Sequence, residues 1–409
     1  MPHDLEELTT HCIRCGFCLE SCPTFVETAN ETESPRGRIY LVRSAVGGQL
    51  NWQADVKPHL DLCLGCRACE TACPSGVQYG QILEIARDKI EGERPNKVKS
   101  ALLAGATSPS LLKTQLALAH LVPGNRIPGF VSRMLSGRKS ESDLPKPQRE
   151  SEFPPLDEKT LPEVKGEVYM LEGCAMRVLY PRVHQATRRL LRRVGYVVKQ
   201  TPQGCCGALH AHYGCLDTAK NMAGTLITSM PEDLPVIVNS AGCGSTMKEY
   251  GDLLNDDPAA VAFAQRTFDV SEFLLDNGLL EALKDATGLM IRATYHDACH
   301  LAHGQRITKQ PRDLIAAIPH IEVVAMPEAD MCCGSAGIYN VIQPDMARKL
   351  VDRKYANIAQ TGAKIVATGN PGCHSWIAQA AREHGQKVQV LHTLELLEAA
   401  FVGLAPFED

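Results

Sequence analysis

Several things are scarce in this chain of 409 residues. Aromatic residues make up only 5%, and acidic and basic residues are interspersed to a net charge of −5, so neither a base-stacking surface nor a basic stripe for nucleic acid is available. No apolar stretch approaches the ~20 residues that a membrane-spanning helix requires. The opening Met1-Pro2-His3-Asp4-Leu5-Glu6-Glu7 lacks the basic and apolar regions of a secretory signal, and a soluble cytoplasmic chain is expected. No Gly-x-Gly-x-x-Gly follows a strand pattern, which argues against a Rossmann-type dinucleotide site on this polypeptide. Cysteine is the opposite case. Its seventeen copies form an odd number clustered at ligand spacings, unlike a disulfide framework, and fit a reducing compartment. The length suits two or three domains, each able to bury a core.

Eight cysteines fall into two copies of one spacing, Cys12-x2-Cys15-x2-Cys18-x3-Cys22-Pro23 and Cys63-x2-Cys66-x2-Cys69-x3-Cys73-Pro74. Short Cys-x2-Cys loops bring three soft thiolates around one iron–sulfur cubane. The fourth cysteine of each run, just before proline, normally ligates the other cluster. The spacing therefore assigns one [4Fe–4S] cluster to Cys12, Cys15, Cys18 and Cys73, and a second to Cys63, Cys66, Cys69 and Cys22. A pair of structural zinc sites is the alternative, but such sites have no use for the third cysteine or the trailing Cys-Pro.

Residues 1–95 read as a helical two-cluster ferredoxin-like module. Within it, Pro35-Arg36-Gly37-Arg38-Ile39-Tyr40 reads as a turn entering a helix, its arginines screening cluster charge, binding an acidic partner, or simply forming a solvated helix start. Helical apolar spacing follows from Tyr79 to Arg87. Residues 96–165 form a helical connector, with apolar positions from Leu102 to Leu121 interrupted by Pro109, Pro123 and Pro128. From Gly137 to Gly166 the composition turns to Pro, Ser, Glu, Lys and Asp, a linker or an extended surface strap.

Beyond residue 166 the chain repeats itself. In 166–290, strand patterns at Val168–Leu171, Tyr196–Val198 and Pro235–Val238 alternate with helices at Pro181–Val194 and 216–229. In 291–409, strands at Arg292–Tyr295, Glu322–Ala325 and Lys364–Ala367 alternate with helices near 311–318 and 344–359. The tails also match, Val270-Ser271-Glu272-Phe273-Leu274-Leu275 against His392-Thr393-Leu394-Glu395-Leu396-Leu397. Strand–helix alternation of this kind predicts two parallel-sheet α/β units, and ligands of open α/β sheets bind at the carboxyl ends of the strands. That is where the repeat places its thiols: Cys174, Cys205, Cys206 and Cys243 in one unit, Cys299, Cys332, Cys333 and Cys373 in the other. Adjacent cysteines on a strand face opposite ways, but on a turn freed by Gly207 or Gly334 they can splay into one site. Either set reads as an additional cluster or redox thiols, or as buried cysteines acting as small hydrophobes. Cys215 has no counterpart in the second copy and reads as a core or surface thiol.

The two Cys-Cys-Gly repeats resemble the cysteine-rich CCG domains of heterodisulfide reductase subunits. The fuller pattern of that family ends in Cys-x-x-Cys; here Ser240 and Asn370 replace the first cysteine of each final pair, so its unusual cluster does not carry over directly. Taken from Cys12 to the C-terminus, the chain resembles the iron–sulfur subunit of glycolate oxidase (glycolate dehydrogenase). The resemblance is carried by His11–Cys18, Ser34–Tyr40, Cys63–Glu70, Cys73–Val77, Met170–Cys174 and Cys332–Gly337. It implies electron transfer from FAD-containing partner subunits, which oxidise a 2-hydroxy acid, to a quinone-type or other acceptor. It also implies FAD on those partners only, and peripheral membrane association through them.

Histidines crowd the thiol loops: His210 and His212 near the first set, His296, His300 and His303 around Cys299, and His374 beside Cys373. They are candidates for iron ligation or proton transfer, or for ordinary hydrogen bonding, and none is assigned as a catalytic base. Three alternative functions share these features. One is an iron–sulfur subunit of anaerobic glycerol-3-phosphate or lactate dehydrogenase. Another is a heterodisulfide-reductase-like subunit, which the missing fifth cysteine disfavours. The third is an iron or redox sensor, for which no DNA-binding or signalling segment is found.

Overall fold

The computed structural model describes residues 4–119, 143, 145–385 and 388–407. The first module is helical. Its helix Pro35–Val46 starts at Ser34, whose side chain accepts from the Gly37 N–H, and Pro35 supplies a preset first turn. The helix Tyr79–Glu93 buries Ile82, Leu83, Ala86 and Ile90 against Ile39, Val42, Val56 and Leu60, a core that also takes in Cys63 and Cys69.

Each repeat carries a four-stranded, wholly parallel sheet. The first has order β2-β1-β3-β4, with β1 Gly166–Leu171, β2 Tyr196–Lys199, β3 Val236–Val238 and β4 Thr267–Asp269. The second has order β6-β5-β7-β8, with β5 Arg292–His296, β6 Glu322–Val323, β7 Ile365–Thr368 and β8 Gln389–His392. Val168–Leu171, Val236–Val238 and Ile365–Thr368 are buried on both faces, as strands covered on both sides by crossover helices must be. The edge strand β6 is exposed and shorter than the Glu322–Ala325 pattern: one further bond, Val324 N–H to the Ala293 carbonyl, is made before the chain turns away at Met326-Pro327.

The tail alignment needs a correction of one residue. Val238 pairs with Asp269 and Thr368 with His392, so Asp269 is the partner of His392 and Glu272 that of Glu395. Both positions make the same capping box, Asp269 with Glu272 and His392 with Glu395. Capping chemistry sets the register here, and the apolar pattern alone misplaces it.

The two repeats share a core. Val168 and Ile237 of the first sheet and Ala293, Tyr295, Ile365 and Ala367 of the second belong to one apolar cluster with residues of the helices Pro181–Arg193, Val270–Asp276 and Thr393–Val402. Buried ion pairs tie the first of these helices to the last: Arg182 to Glu395 at 2.7 Å, and Arg189 and Arg193 to Glu398 at 2.7 and 2.9 Å. Of the connector, Lys97–Thr107 and Pro109–Ala119 are helices, and Leu103 packs against Tyr213 and Ile338 between the repeats. Leu121, Pro123, Pro128 and Gly137 lie outside the described residues. Residues 145–165 are an extended strap: the Gln148 amide N–H donates to the Leu179 carbonyl at 2.8 Å, and Phe153 meets Phe407 at 5.3 Å between ring centroids.

Candidate metal and thiol centres

All seventeen cysteines lie among the described residues and are free thiols. Cys12, Cys15, Cys18 and Cys73 come together around one small void, with Cys69, Pro74 and Tyr79 also on its wall. Cys15 is the exposed member, and Ile13, Phe17 and Tyr40 around it are 68%, 70% and 50% exposed. Arg36 pairs with Glu31 and donates to the Arg14 carbonyl at 3.2 Å, which braces this loop.

Cys22, Cys63, Cys66 and Cys69 form a second, buried group. Burial, with the neighbouring thiols, pushes Cys66 and Cys69 far above the ordinary thiol value. Bare thiolates are disfavoured there unless a metal centre compensates them. The surroundings are built for that charge. Arg38, 1% exposed, lies 3.9 Å from Cys22 Sγ and donates to Glu33 at 2.8 Å and to the His59 carbonyl at 2.8 Å. Burial opposes its charge, but Cys63, Tyr79, Cys22 and Glu33 more than offset this and raise its pKa. The Gly65 N–H and the Tyr79 hydroxyl donate to Cys63 Sγ at 3.4 and 3.5 Å. Soft donors, a buried cation and N–H and O–H groups aimed at sulfur all fit thiolate-bound iron–sulfur clusters. Both arginines singled out in the sequence stand beside thiols: Arg38 is buried against Cys22, and Arg36 holds the loop while lining the void of Cys12, Cys15, Cys18 and Cys73.

The repeat thiols converge as the duplication implies. Cys174 and Cys205 stand 3.6 Å apart, and Cys206 neighbours Cys243. In the second repeat, Cys332 neighbours Cys299 and Cys333 neighbours Cys373. The adjacent cysteines do splay. Gly207 and Gly334, at φ +83° and +86°, turn the chain so tightly onto the next helix that a Cβ would stand 3.0 Å from the Ala219 carbonyl and 2.8 Å from that of Ala347. Hydrogen bonds from Cys174 and Cys206 hold Cys205 well below the ordinary thiol value, while the bond to Cys205 and burial raise Cys174. All eight repeat thiols, with Ser240, Asn370 and Cys63, line one cavity of about 1910 Å³ between the repeats. Cys66 packs in the same apolar cluster as Cys332, Cys333 and Cys373, so the second ferredoxin group abuts the second repeat's crevice. Cys215 stands apart, beside Leu103 and Tyr213.

The histidines divide by role. His303 bridges modules, with Thr71 Oγ1 at 3.0 Å and the Asp330 carbonyl at 3.2 Å. His212 is held by Glu84 at 2.7 Å, with its ring 4.7 Å from that of His300. His374 stacks edge-on against Tyr180, and burial lowers the pKa of His210. His296 is fully buried and held neutral by that burial, and one of its ring nitrogens lies within 4.8 Å of Cys333 and Cys373 Sγ.

Sequence reasoning missed Arg87 and Lys354. Arg87 closes an apolar helix pattern in the sequence, yet it donates to the His212 carbonyl at 2.6 Å and to those of Leu60 and Cys63 at 2.6 and 2.8 Å. Lys354, 2% exposed, sits beneath the second thiol set. Laying the repeats on each other would have exposed it, since the position in the first copy is Leu226.

Two family models match this chain: a 4Fe-4S dicluster domain over residues 9–77, and a cysteine-rich domain twice, over 168–248 and 293–378. The chain is 37% identical to the probable glycolate oxidase iron-sulfur subunit of Bacillus subtilis, covering 95% of this chain and 94% of that one. It is 31% identical to the glycolate oxidase iron-sulfur subunit of Escherichia coli, covering 97% and 95%. A fumarate reductase (CoM/CoB) subunit of Methanothermobacter marburgensis is 27% identical over 95% of this chain and 72% of its own length. With a dicluster module, two cysteine-rich repeats and likeness along nearly its whole length, the chain belongs to the family of glycolate oxidase iron–sulfur subunits.

Proposed function

We propose that this chain is the electron-transfer subunit of a flavin-dependent dehydrogenase that oxidises glycolate to glyoxylate. Two electrons and two protons leave the substrate on FAD-containing partner subunits, and this chain passes the electrons toward a quinone-type acceptor. One observation carries the reading: thiol groups succeed one another from exposed Cys15, through the buried group at Cys66, to the cavity between the repeats. We assign Cys12, Cys15, Cys18 and Cys73 to one [4Fe–4S] cluster and Cys63, Cys66, Cys69 and Cys22 to the other, within a module spanning 1–95. The connector is 96–165 and the cysteine-rich domains are 166–290 and 291–409. Bound clusters of this type accept and release single electrons.

The residues of the chain supply the setting. Arg38 compensates thiolate charge, and Tyr79 and Gly65 aim donors at Cys63. Ile13, Phe17 and Tyr40 offer an apolar face around the one exposed thiol, suited to close approach by the flavin-bearing partner. No helix among the described residues is long and apolar enough to cross a membrane, consistent with a cytoplasmic chain held at the membrane only through partners.

The test is anaerobic purification, alone and with its flavoprotein partners, with iron and sulfide counted and EPR recorded before and after glycolate. Two interacting [4Fe–4S] signals that appear on glycolate addition only when the partners are present would support the reading. Zinc in place of iron, or reduction by lactate or glycerol 3-phosphate but not glycolate, would overturn it.

A further inference from the structure

The two repeats are built alike but not equally equipped. Superposing their strand ladders sets His296 of β5 on Leu171 of β1, because Leu171 pairs with Val238 and His296 with Thr368 at equivalent rungs. Superposing the helices under the Cys-Cys-Gly turns, by Ala219 and Ala347, sets Lys354 on Leu226. In the first repeat both positions are aliphatic and buried, Leu171 at 2% and Leu226 at 0% exposure. In the second, a histidine and a lysine, 0% and 2% exposed, take their places directly beside the thiols.

We propose that His296 Nε2 is itself a ligand of the soft transition-metal centre that the thiols of the second repeat hold, beside the thiolates of Cys333 and Cys373, with Cys299 and Cys332 completing the set. The nitrogen is identified by its neighbour. His296 Nδ1 is 3.1 Å from the Ala329 carbonyl, and a carbonyl only accepts, so Nδ1 carries the proton and Nε2 presents its lone pair. Nε2 is buried without a hydrogen-bond partner, a state that buried polar atoms rarely keep. A ring nitrogen of His296, Cys333 Sγ and Cys373 Sγ already lie within 4.8 Å of one another. Backbone anchoring of the far nitrogen is also how proteins orient metal-binding imidazoles.

Lys354 is an independent indication. Its side-chain nitrogen donates to the Glu328 and Ala329 carbonyls; burial lowers its pKa, and negative charge on Cys333, Cys332, Asp330 and Cys373 is what favours the ammonium there. A buried cation needs nearby negative charge, and a metal bound by several thiolates supplies it. Imidazole with thiolate selects zinc or iron over hard cations. Four of the five donors, Cys299, Cys332, Cys333 and Cys373, line the cavity between the repeats, which gives the metal its entry path. This inference goes beyond the electron-transfer reading and holds whichever acid the complex oxidises.

The full-length chain, purified anaerobically, is assayed for iron, zinc and acid-labile sulfide and examined by EPR. Wild type is expected to carry metal beyond the roughly eight irons of the two ferredoxin-type clusters. Iron with extra sulfide identifies a cluster, and zinc without sulfide a mononuclear site; either supports the centre. His296→Leu, which copies the first repeat, is expected to lose the increment while keeping both [4Fe–4S] signals, and His296→Cys to retain it. Wild type with no metal beyond those irons, or His296→Leu with an unchanged complement, overturns the proposal. Should His296→Leu fail to fold, the wild-type centre, cobalt-substituted if it holds zinc, is examined for 14N hyperfine coupling. Its presence supports ligation by His296 and its absence overturns it.

Discussion

Gly214 lies so close to the backbone of Arg87 that a Cβ on it would stand 2.4 Å from the Arg87 carbonyl carbon and 2.6 Å from the oxygen. Here the turn after the first Cys-Cys-Gly motif meets the helix Tyr79–Glu93 of the ferredoxin-type module, with Gly214 at φ +74°. Beside it the Arg87 guanidinium joins three carbonyls, those of His212, Leu60 and Cys63, so one buried side chain binds the module to the repeat. Arg67 to Glu249 at 2.5 Å and the Tyr339 hydroxyl to the Leu62 carbonyl at 2.8 Å extend the seam to both repeats.

Gly214→Ala is therefore expected to force this seam apart. Backbone cannot yield as a flexible side chain does, and the residue also needs a left-handed conformation. A loss of more than about 2 kcal/mol in urea unfolding is expected. Arg87→Met, which leaves the same packing stem but takes the guanidinium from the His212 and Cys63 carbonyls and leaves that of Leu60 with the Cys63 N–H, should cost about 1–3 kcal/mol. Stability of both variants within error of wild type would show that the seam is incidental.

Cys15→Ser and Cys66→Ser separate the two ferredoxin-type groups. Each is expected to remove or degrade one cluster, leaving about four of eight irons intact and converting an interacting EPR spectrum into that of an isolated centre. An unchanged spectrum in either variant would break the ligand assignment.

The apolar face is tested by charge. Ile13→Asp with Phe17→Asp should leave iron content and melting temperature unchanged, because both side chains are mostly exposed. Binding to the flavin-bearing partner, followed by calorimetry, should weaken by about tenfold or more. Undiminished affinity would exclude this face from the interface.

Acid should loosen the junction between the repeats. His184 Nε2 lies 3.0 Å from the Glu172 carbonyl and His392 Nε2 3.0 Å from that of Asn239; their Nδ1 atoms accept from the Asn239 side-chain amide and the Leu394 N–H. Burial first of all lowers both to about 4, from an ordinary 6.5. A histidine kept neutral in the fold but free to protonate when unfolded stabilises fully above pH 6.5, and its contribution falls as pH drops toward 4. Each accounts for up to about 3 kcal/mol at the acid limit. Denaturant midpoints should fall between pH 6.5 and 4 in wild type and fall less in His184→Gln; equal slopes would remove His184 from the account.

Much of this was legible in the chain. Helices at Pro181–Arg193, Leu216–Ser229 and Pro344–Thr361, and the strands flanking them, follow from local apolar periodicity, and every repeat thiol that the pattern pointed to reaches the common cavity. The tail register came out one residue off because Asp269 and His392 make the capping boxes while apolar spacing accommodates either frame. Arg87 and Gly214 stayed hidden because their partners lie far along the chain: Arg87 is 125 residues from His212. Periodicity carries no signal over that distance.

The order of soft donors was determined by the sequence alone. Cysteine spacing limits which thiols can share a cluster, because loops of two or three residues can close only around a small object, and the duplicated strand–helix pattern puts the remaining thiols at strand ends. The tertiary structure decided how these groups face one another: that the repeats share a core, that Cys66 backs onto the second crevice, and that a ring nitrogen of His296 stands beside Cys333 and Cys373. The physical reason is close packing. Which buried polar atom is satisfied and which is left to bind something else depends on contacts between distant segments, and those exist only once the chain is folded.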